Sequence, residues 1–195
     1  MKHKKFGRED LPLLPGMEEF FQKMSIQHFT DNQVAYSSES AKNDPFLQRI
    51  CECCNFTSKW QMPIVSPIYD KQVLQLEIMG YDRLAHDNSL NYGVHFYCDD
   101  HKILSSLRSV ESVYNRIKNH PFIIGPDYSI KMNMPFPQKL SNSFYIKLVT
   151  AWYQHMGLIV VPNIVWAEDE HIGAYLEGYP IGSIVAINKQ YGNRS

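Results

Sequence analysis

Polar side chains that could bind a ligand or exchange protons follow each apolar segment that has the composition of a buried strand. In chain order they are Asp99, Asp100, His101, Asp127, Ser129, Asn163, Trp166, Glu168 and Asn188. In parallel α/β sheets, ligands bind beyond the carboxyl ends of the strands. The pattern therefore predicts a polar ligand pocket at that edge. The residues that we expect to line it are Asp99, Asp100, Asp127, Asn163, Trp166 and Glu168.

The side chains of this pocket offer several kinds of chemistry. Asp99 and Asp127 could hold Mg²⁺ through carboxylate oxygens, or act as an acid and a base if their pKa values differed. Trp166 could stack on a ring or a sugar face, and Asn163 could both donate and accept hydrogen bonds. These roles predict a small-ligand site or, alternatively, a metal-dependent hydrolase.

The same residue types also end strands for purely structural reasons. Asp and Asn side chains bond to nearby backbone N–H groups in turns, and Gly125, Pro126 and Asp127 form a turn sequence by themselves. Turn and cap roles therefore stand beside ligand binding and catalysis as interpretations of these positions. His95 lies inside a strand pattern, where we expect a core histidine.

A second hypothesis is a structural zinc site formed by cysteine and histidine. Cys51 and Cys54 have C-x-x-C spacing, and Cys98 with His101 has C-x-x-H spacing. Three thiolates and one imidazole are a common zinc ligand set. Against this hypothesis, the two halves are far apart in sequence, and a cysteine in a strand often packs as a small hydrophobic residue.

Several function classes lack support in the sequence. The chain has no G-x-G-x-x-G or G-x-x-x-x-G-K motif, and Ser129 has no G-x-S-x-G context that would make it a nucleophile. A net charge of −1 lacks the basic excess typical of nucleic-acid binding. No apolar run approaches the roughly 18 residues of a membrane span, so we expect a cytoplasmic protein.

The elements that position the polar residues begin with a strand, helix and strand over residues 122–161. Residues 122–124 are apolar on both faces, as in a strand that is covered on both sides. Residues 137–156 carry an apolar stripe at the helical period, and Gly157 follows where a left-handed cap belongs. Residues 158–161 form the second strand. The crossover between parallel strands is expected to be right-handed.

Other segments extend this pattern to most of the chain. Strands are predicted at residues 73–79, 93–98, 172–176 and 183–188, and a helix capped by Ser109 at residues 109–119. The fold class is therefore α/β, with a mostly parallel sheet built from βαβ units. The sheet should be open or an incomplete barrel, because an eight-stranded barrel needs about 250 residues. We expect this domain to cover residues 61–195, after an irregular, partly helical region at residues 1–60.

Blocks of the sequence resemble a known family. They are G-V-H-F-Y-C-D-D (93–100), G-P-D-Y-S (125–129), V-V-P-N-I-V-W (160–166) and G-S-I-V-A-I (182–187). The family is described only as a domain of unknown function, and it occurs mainly in phages, plasmids and integrated elements of Gram-positive bacteria. The resemblance implies an α/β fold, a mobile-element origin and the cytoplasm of a bacterial host. It implies no activity and no catalytic residue.

A different function class is a non-enzymatic factor of a mobile element. Such a factor would bind a host protein, a phage protein or nucleic acid instead of turning over a substrate. The aromatic residues of the first third of the chain could form its interaction surface, or they could pack this segment back onto the sheet. They are Phe20, Phe21, Tyr36 and Phe56.

Overall fold

The computed structural model of the chain describes residues 50–84, 89–103 and 110–188. The strands in this part are β1 (Ile78–Gly80), β2 (Gly93–His95), β3 (Ile123–Ile124) and β4 (Val160–Val161). The α-helices are α1 (Val110–Ile117), α2 (Phe136–His155) and α3 (Ile172–Leu176). Phe20, Phe21, Tyr36, Ser109 and most of the predicted N-terminal region lie outside the described residues.

The four strands form one parallel sheet in the order β1-β2-β3-β4. Val94 pairs with Ile123, and Ile123 pairs with Val160. Beyond β4, a single parallel bridge joins Asn163 to Ala186 and brings the segment 183–188 alongside. The predicted α/β fold with a parallel sheet is confirmed, and the sheet does not close into a barrel.

Helix α2 covers one face of the sheet and is the longest element described. Pro135 precedes it, Pro137 lies in its first turn, and Gly157, with φ of +88°, follows its end. A proline is compatible with the first turn because the N–H groups there lack helical partners. Gly157 adopts a left-handed conformation that side chains with a Cβ rarely enter. Both ends of α2 are therefore determined locally, within about one residue of the predicted bounds.

The two faces of the sheet bury different side chains, because successive residues of a strand point to opposite sides. Val94, Ile123 and Val160 pack in the main core with the residues of α1 and α2. On the opposite face, Phe122 and Val161 belong to a smaller buried cluster. Burial of each large apolar side chain contributes about 1.5–3 kcal/mol, so the helix-covered face supplies most of the stabilisation.

Three predicted elements differ in the structure. Ile172–Leu176, which we expected to be an edge strand, is the helix α3, because five residues are too few for period alone to separate the two. Residues 73–79 do not form one strand. Asp70 accepts a hydrogen bond of 2.9 Å from Gln72 N and begins a 3-10 helix, Lys71–Gln75, so that β1 starts only at Ile78. Residues 183–188 are half-buried except for Ile187, which is exposed, and they form one bridge instead of a buried strand.

Candidate functional site

Two of the predicted pocket residues meet in a buried polar network at the carboxyl ends of β3 and β4. Asn163 is fully buried. Its Nδ2 donates to Asp127 Oδ1 over 2.9 Å and to the Pro126 carbonyl over 3.0 Å. Asn188 Nδ2 donates to the other carboxylate oxygen, Asp127 Oδ2, over 3.1 Å. The carboxylate is thus oriented by two side-chain amides from two different segments.

Two tyrosines extend this network through Asn163. The Tyr97 hydroxyl donates to Asn163 Oδ1 over 3.3 Å, and the Tyr179 hydroxyl donates to the Asn163 carbonyl over 2.6 Å. We call the set Asp127, Asn163, Asn188, Tyr97 and Tyr179 the Asp127 network. Tyr97 follows β2, Asp127 follows β3 and Asn163 follows β4, so the network joins the ends of three neighbouring strands.

The electrostatics of the Asp127 network follow from its burial. Burial raises the pKa of the Asp127 carboxyl, and hydrogen bonds from Asn163 and Asn188 partly offset this increase by favouring the ionised form. Burial, together with the nearby Asp127 carboxylate, raises the pKa of Tyr97. Tyr97 therefore stays protonated at neutral pH and keeps its role as the donor to Asn163.

A cleft of about 360 Å³ opens at the carboxyl ends of β1 and β2. Its polar and charged lining residues are Asp82, Arg83, His95, Tyr97, Asp99 and Lys102. Tyr97 belongs both to this cleft and to the Asp127 network. The open site and the buried network are therefore continuous through one side chain.

The side chains of the cleft hold one another in defined orientations. Lys102 Nζ donates to Asp82 Oδ2 over 2.9 Å and lowers the pKa of Asp82. The Tyr97 backbone N–H donates to His95 Nδ1 over 3.2 Å, and the two rings stack with centroids 5.0 Å apart. Burial lowers the pKa of His95. The imidazole is half-buried at the cleft wall, whereas we expected a core position.

The remaining predicted pocket residues take separate positions. Asp99 is exposed and lines the cleft. Asp100 Oδ1 accepts from Ser129 N over 3.2 Å and from Ser129 Oγ over 3.0 Å. Trp166 is half-buried and packs against the core on the helix side. These three residues are not hydrogen-bonded to the Asp127 network.

Glu168 forms its own polar cluster away from the cleft lining. Its Oε2 accepts from Lys139 Nζ over 2.7 Å, and its Oε1 accepts from the Tyr175 hydroxyl over 2.8 Å. Both hydrogen bonds favour the ionised form and help lower the pKa of Glu168 against the effect of burial. Through these two hydrogen bonds the Glu168 carboxylate connects α2 to α3, which indicates a structural role.

The four residues of the zinc hypothesis are not gathered by the fold. Within residues 50–84, 89–103 and 110–188, no three His, Cys, Asp or Glu side chains are placed to hold a metal ion. Cys51 is buried in the core, and Cys54 Sγ donates to the Ile50 carbonyl over 3.3 Å. Burial raises the pKa of Cys54 to about 12 and that of Cys98 to about 11. The hypothesis therefore lacks the ligand geometry that it requires.

A buried lysine adjoins the Asp127 network and was not identified from the sequence. Lys147 is fully buried on α2, with Nζ 2.6 Å from Ser143 Oγ and 4.8 Å from the centroid of the Tyr179 ring. Burial lowers its pKa to about 7, and the Glu177 carboxylate acts in the opposite direction. Its position in the apolar stripe of α2 is the only sequence signal that could have identified it.

The comparisons with known proteins find relatives encoded by phages. The chain is 32% identical over 162 residues to the Gene 1 protein of Mycobacterium phage L5, and the aligned region covers 83% of this chain and 69% of that protein. It is 27% identical over 95 residues to the Gene 1 protein of Mycobacterium phage D29, and the aligned region covers 49% of this chain and 35% of that protein. No solved structure matches the chain.

Two further observations concern the whole described domain. No helix in the described part of the chain is both long enough and apolar enough to cross a membrane. One family model matches residues 54–195, a range that includes the parallel sheet, the cleft and the Asp127 network. The chain belongs to the family described as a domain of unknown function, DUF4417.

Proposed function

We propose that this protein binds a small polar ligand in the cleft at the carboxyl ends of β1 and β2. It would do so in the cytoplasm of a bacterial host, as a product of a phage or another mobile element. The observation that carries the proposal is the double role of Tyr97, which lines the cleft and donates to Asn163 in the buried network. The position agrees with the general location of ligand sites in parallel sheets.

The network supports this function because it holds Tyr97 in place before any ligand arrives. A side chain that is already ordered loses less conformational freedom on binding, which improves affinity. Tyr97 is fixed by its hydroxyl on Asn163, by its backbone N–H on His95 and by its ring on the same imidazole. Perturbed carboxyl pKa values, as at Asp127, are also typical of functional sites.

A fragment screen by NMR on the ¹⁵N-labelled protein tests the proposal. We expect uncharged and zwitterionic metabolites to shift the amide signals of His95, Tyr97 and Cys98. Tyr97→Ala should weaken such binding at least tenfold, while Tyr69→Ala, at an exposed tyrosine outside the cleft lining, should leave it unchanged. The proposal is wrong if no fragment shifts these signals, or if both variants bind equally well.

The same experiment separates an enzyme from a binding factor. Each bound fragment is followed by one-dimensional NMR for several hours, with and without added Mg²⁺. Conversion of the fragment would support the hydrolase hypothesis, and an unchanged fragment would support a ligand-responsive factor.

A further inference from the structure

We propose that the cleft recognises an uncharged carboxamide or lactam group, with His95 Nε2 donating to its carbonyl oxygen and Asp82 Oδ1 accepting from its N–H. This inference rests on the proposed function and names the chemical class of the ligand. It depends on the tautomer of the His95 ring, on the position of the Asp82 carboxylate and on the balance of charge in the cleft.

The hydrogen bond at Nδ1 determines the tautomer of His95. Because the Tyr97 backbone N–H donates to Nδ1 over 3.2 Å, this nitrogen must carry a lone pair. The proton of the neutral ring is then on Nε2. Protonation of Nδ1 would place two donors against each other. His95 is therefore a fixed hydrogen-bond donor at neutral pH and not a general base.

The acceptor beside this donor is the second carboxylate oxygen of Asp82, Oδ1. Its Oδ2 is occupied by Lys102, while Oδ1 points towards Gly80. A Cβ at residue 80 would lie 2.8 Å from Asp82 Oδ1 and 3.8 Å from His95 Nε2. The carboxylate oxygen and the ring nitrogen thus lie near the same point beside Gly80, and the carboxylate can approach the backbone this closely because residue 80 has no Cβ.

The charges of the cleft favour a ligand without net charge. Its lining includes two acidic residues, Asp82 and Asp99, and two basic residues, Arg83 and Lys102. The two bases would attract a strongly anionic ligand, and the two acids would repel it. A group with an adjacent carbonyl and N–H instead matches one donor and one acceptor, as polar groups that fix orientation do in small-molecule sites.

The test titrates uridine and 3-methyluridine into the full-length protein while the His95 and backbone ¹⁵N signals are recorded. Uridine carries the lactam edge, and methylation removes its N–H without changing its charge. We expect uridine to shift the cleft signals and 3-methyluridine to bind at least tenfold more weakly. This comparison uses one protein, so it does not depend on the folding of any variant.

Substitutions give a second measurement of the same contacts. Asp82→Asn and His95→Phe should each weaken uridine binding at least tenfold, whereas Asp169→Asn, at an exposed acid outside the cleft lining, should not change it. The ¹⁵N shifts of His95 should show a bare Nδ1 and a protonated Nε2 at neutral pH.

Three outcomes would overturn the inference. They are equal binding of the two nucleosides, a protonated Nδ1, and displacement of the His95 signals by inorganic phosphate but not by uridine. In each of these cases, a fragment that shifts the cleft signals in the broader screen leaves the proposed function standing. Absence of any cleft ligand in that screen would remove both proposals.

Discussion

Asn163 Nδ2 and Asp127 Oδ1 lie 2.9 Å apart, although the two residues are separated by 36 positions in the chain. Both side chains are buried where the sheet ends. A buried carboxylate is costly unless it is hydrogen-bonded, so Asn163 stabilises the network as much as it orients it.

Asn163→Ala should therefore destabilise the protein by about 2–4 kcal/mol at pH 7, because it leaves the Asp127 carboxylate with fewer donors. Loss of the amide raises the pKa of Asp127 further above its unfolded value. A carboxyl group whose pKa is raised in the folded state stabilises the fold at low pH, and this contribution is lost as the pH rises through the folded pKa. The loss of stability measured by urea denaturation should thus be larger at pH 7 than at pH 4.

The exposed substitution Asn115→Ala should change stability by less than about 0.5 kcal/mol at either pH. A loss at Asn163 that does not depend on pH would contradict this assignment.

Lys147→Met should remove a pH dependence from the stability of the protein. The pKa of Lys147 is lowered to about 7 in the fold, so the folded state disfavours the ammonium. Stability linked to such a group is present above its unfolded pKa, about 10.4, and is lost as the pH falls towards 7. The charged and titratable neighbours that face Nζ are Glu177 and Tyr179.

We expect the Lys147→Met variant to be more stable than the wild type by a few kcal/mol at pH 7, on the order of 1.4 kcal/mol per pKa unit. This difference should shrink by pH 10 in thermal or urea unfolding, and Lys131→Met, at an exposed lysine, should show none.

Two tyrosines on helices give a matched pair of hydroxyl deletions. Among the described residues, the Tyr153 hydroxyl is buried without a hydrogen-bond partner, whereas the Tyr175 hydroxyl donates to Glu168 over 2.8 Å. Tyr153→Phe should leave stability unchanged or raise it by about 1 kcal/mol, because it removes an unsatisfied polar group. Tyr175→Phe should lower stability by about 1–2 kcal/mol. Chemical denaturation of both variants checks the pair, and a larger loss for Tyr153→Phe would indicate a partner for that hydroxyl.

Two ion pairs of similar length should differ in their contribution to stability. The side chains of Lys139 and Glu168 are 7% and 17% exposed, while those of Lys102 and Asp82 are 41% and 32% exposed. Lys139→Met should cost about 3 kcal/mol, because it leaves Glu168 poorly solvated and without its cation. Lys102→Met should cost much less than Lys139→Met, since exposed pairs contribute little. Equal losses in thermal unfolding would show that Glu168 is solvated, and would return it to the candidates for ligand binding.

The unit of strand, helix and strand around α2 was predictable because its signals are local. The apolar stripe of α2, the proline before it and Gly157 after it act within a few residues of one another. The same reasoning failed for Ile172–Leu176 and for residues 73–79. In both segments the pattern is short, and tertiary packing or a single side-chain cap decides between helix and strand.

Part of the candidate site was also predictable. Asp127 and Asn163 follow neighbouring parallel strands, and this order alone predicts that they end at the same edge. His95 and Tyr97 were missed, although their spacing of two would place both on one face of the strand predicted at residues 93–98. The hydrogen bond from Tyr97 N to His95 Nδ1, which makes His95 a donor, has no signature in residue types.

The order of apolar segments, glycines and prolines determines that this chain is an α/β protein with polar residues at the ends of parallel strands. These features depend on periodicity and on backbone preferences that operate over a few residues. Tertiary structure alone decides which polar groups meet. It pairs Asp127 with Asn163 and Glu168 with Lys139, buries Lys147 beside Tyr179, and leaves Asp99 exposed at the cleft. Such choices depend on desolvation and on distances between segments that are remote in sequence, and these quantities are defined only once the chain has folded.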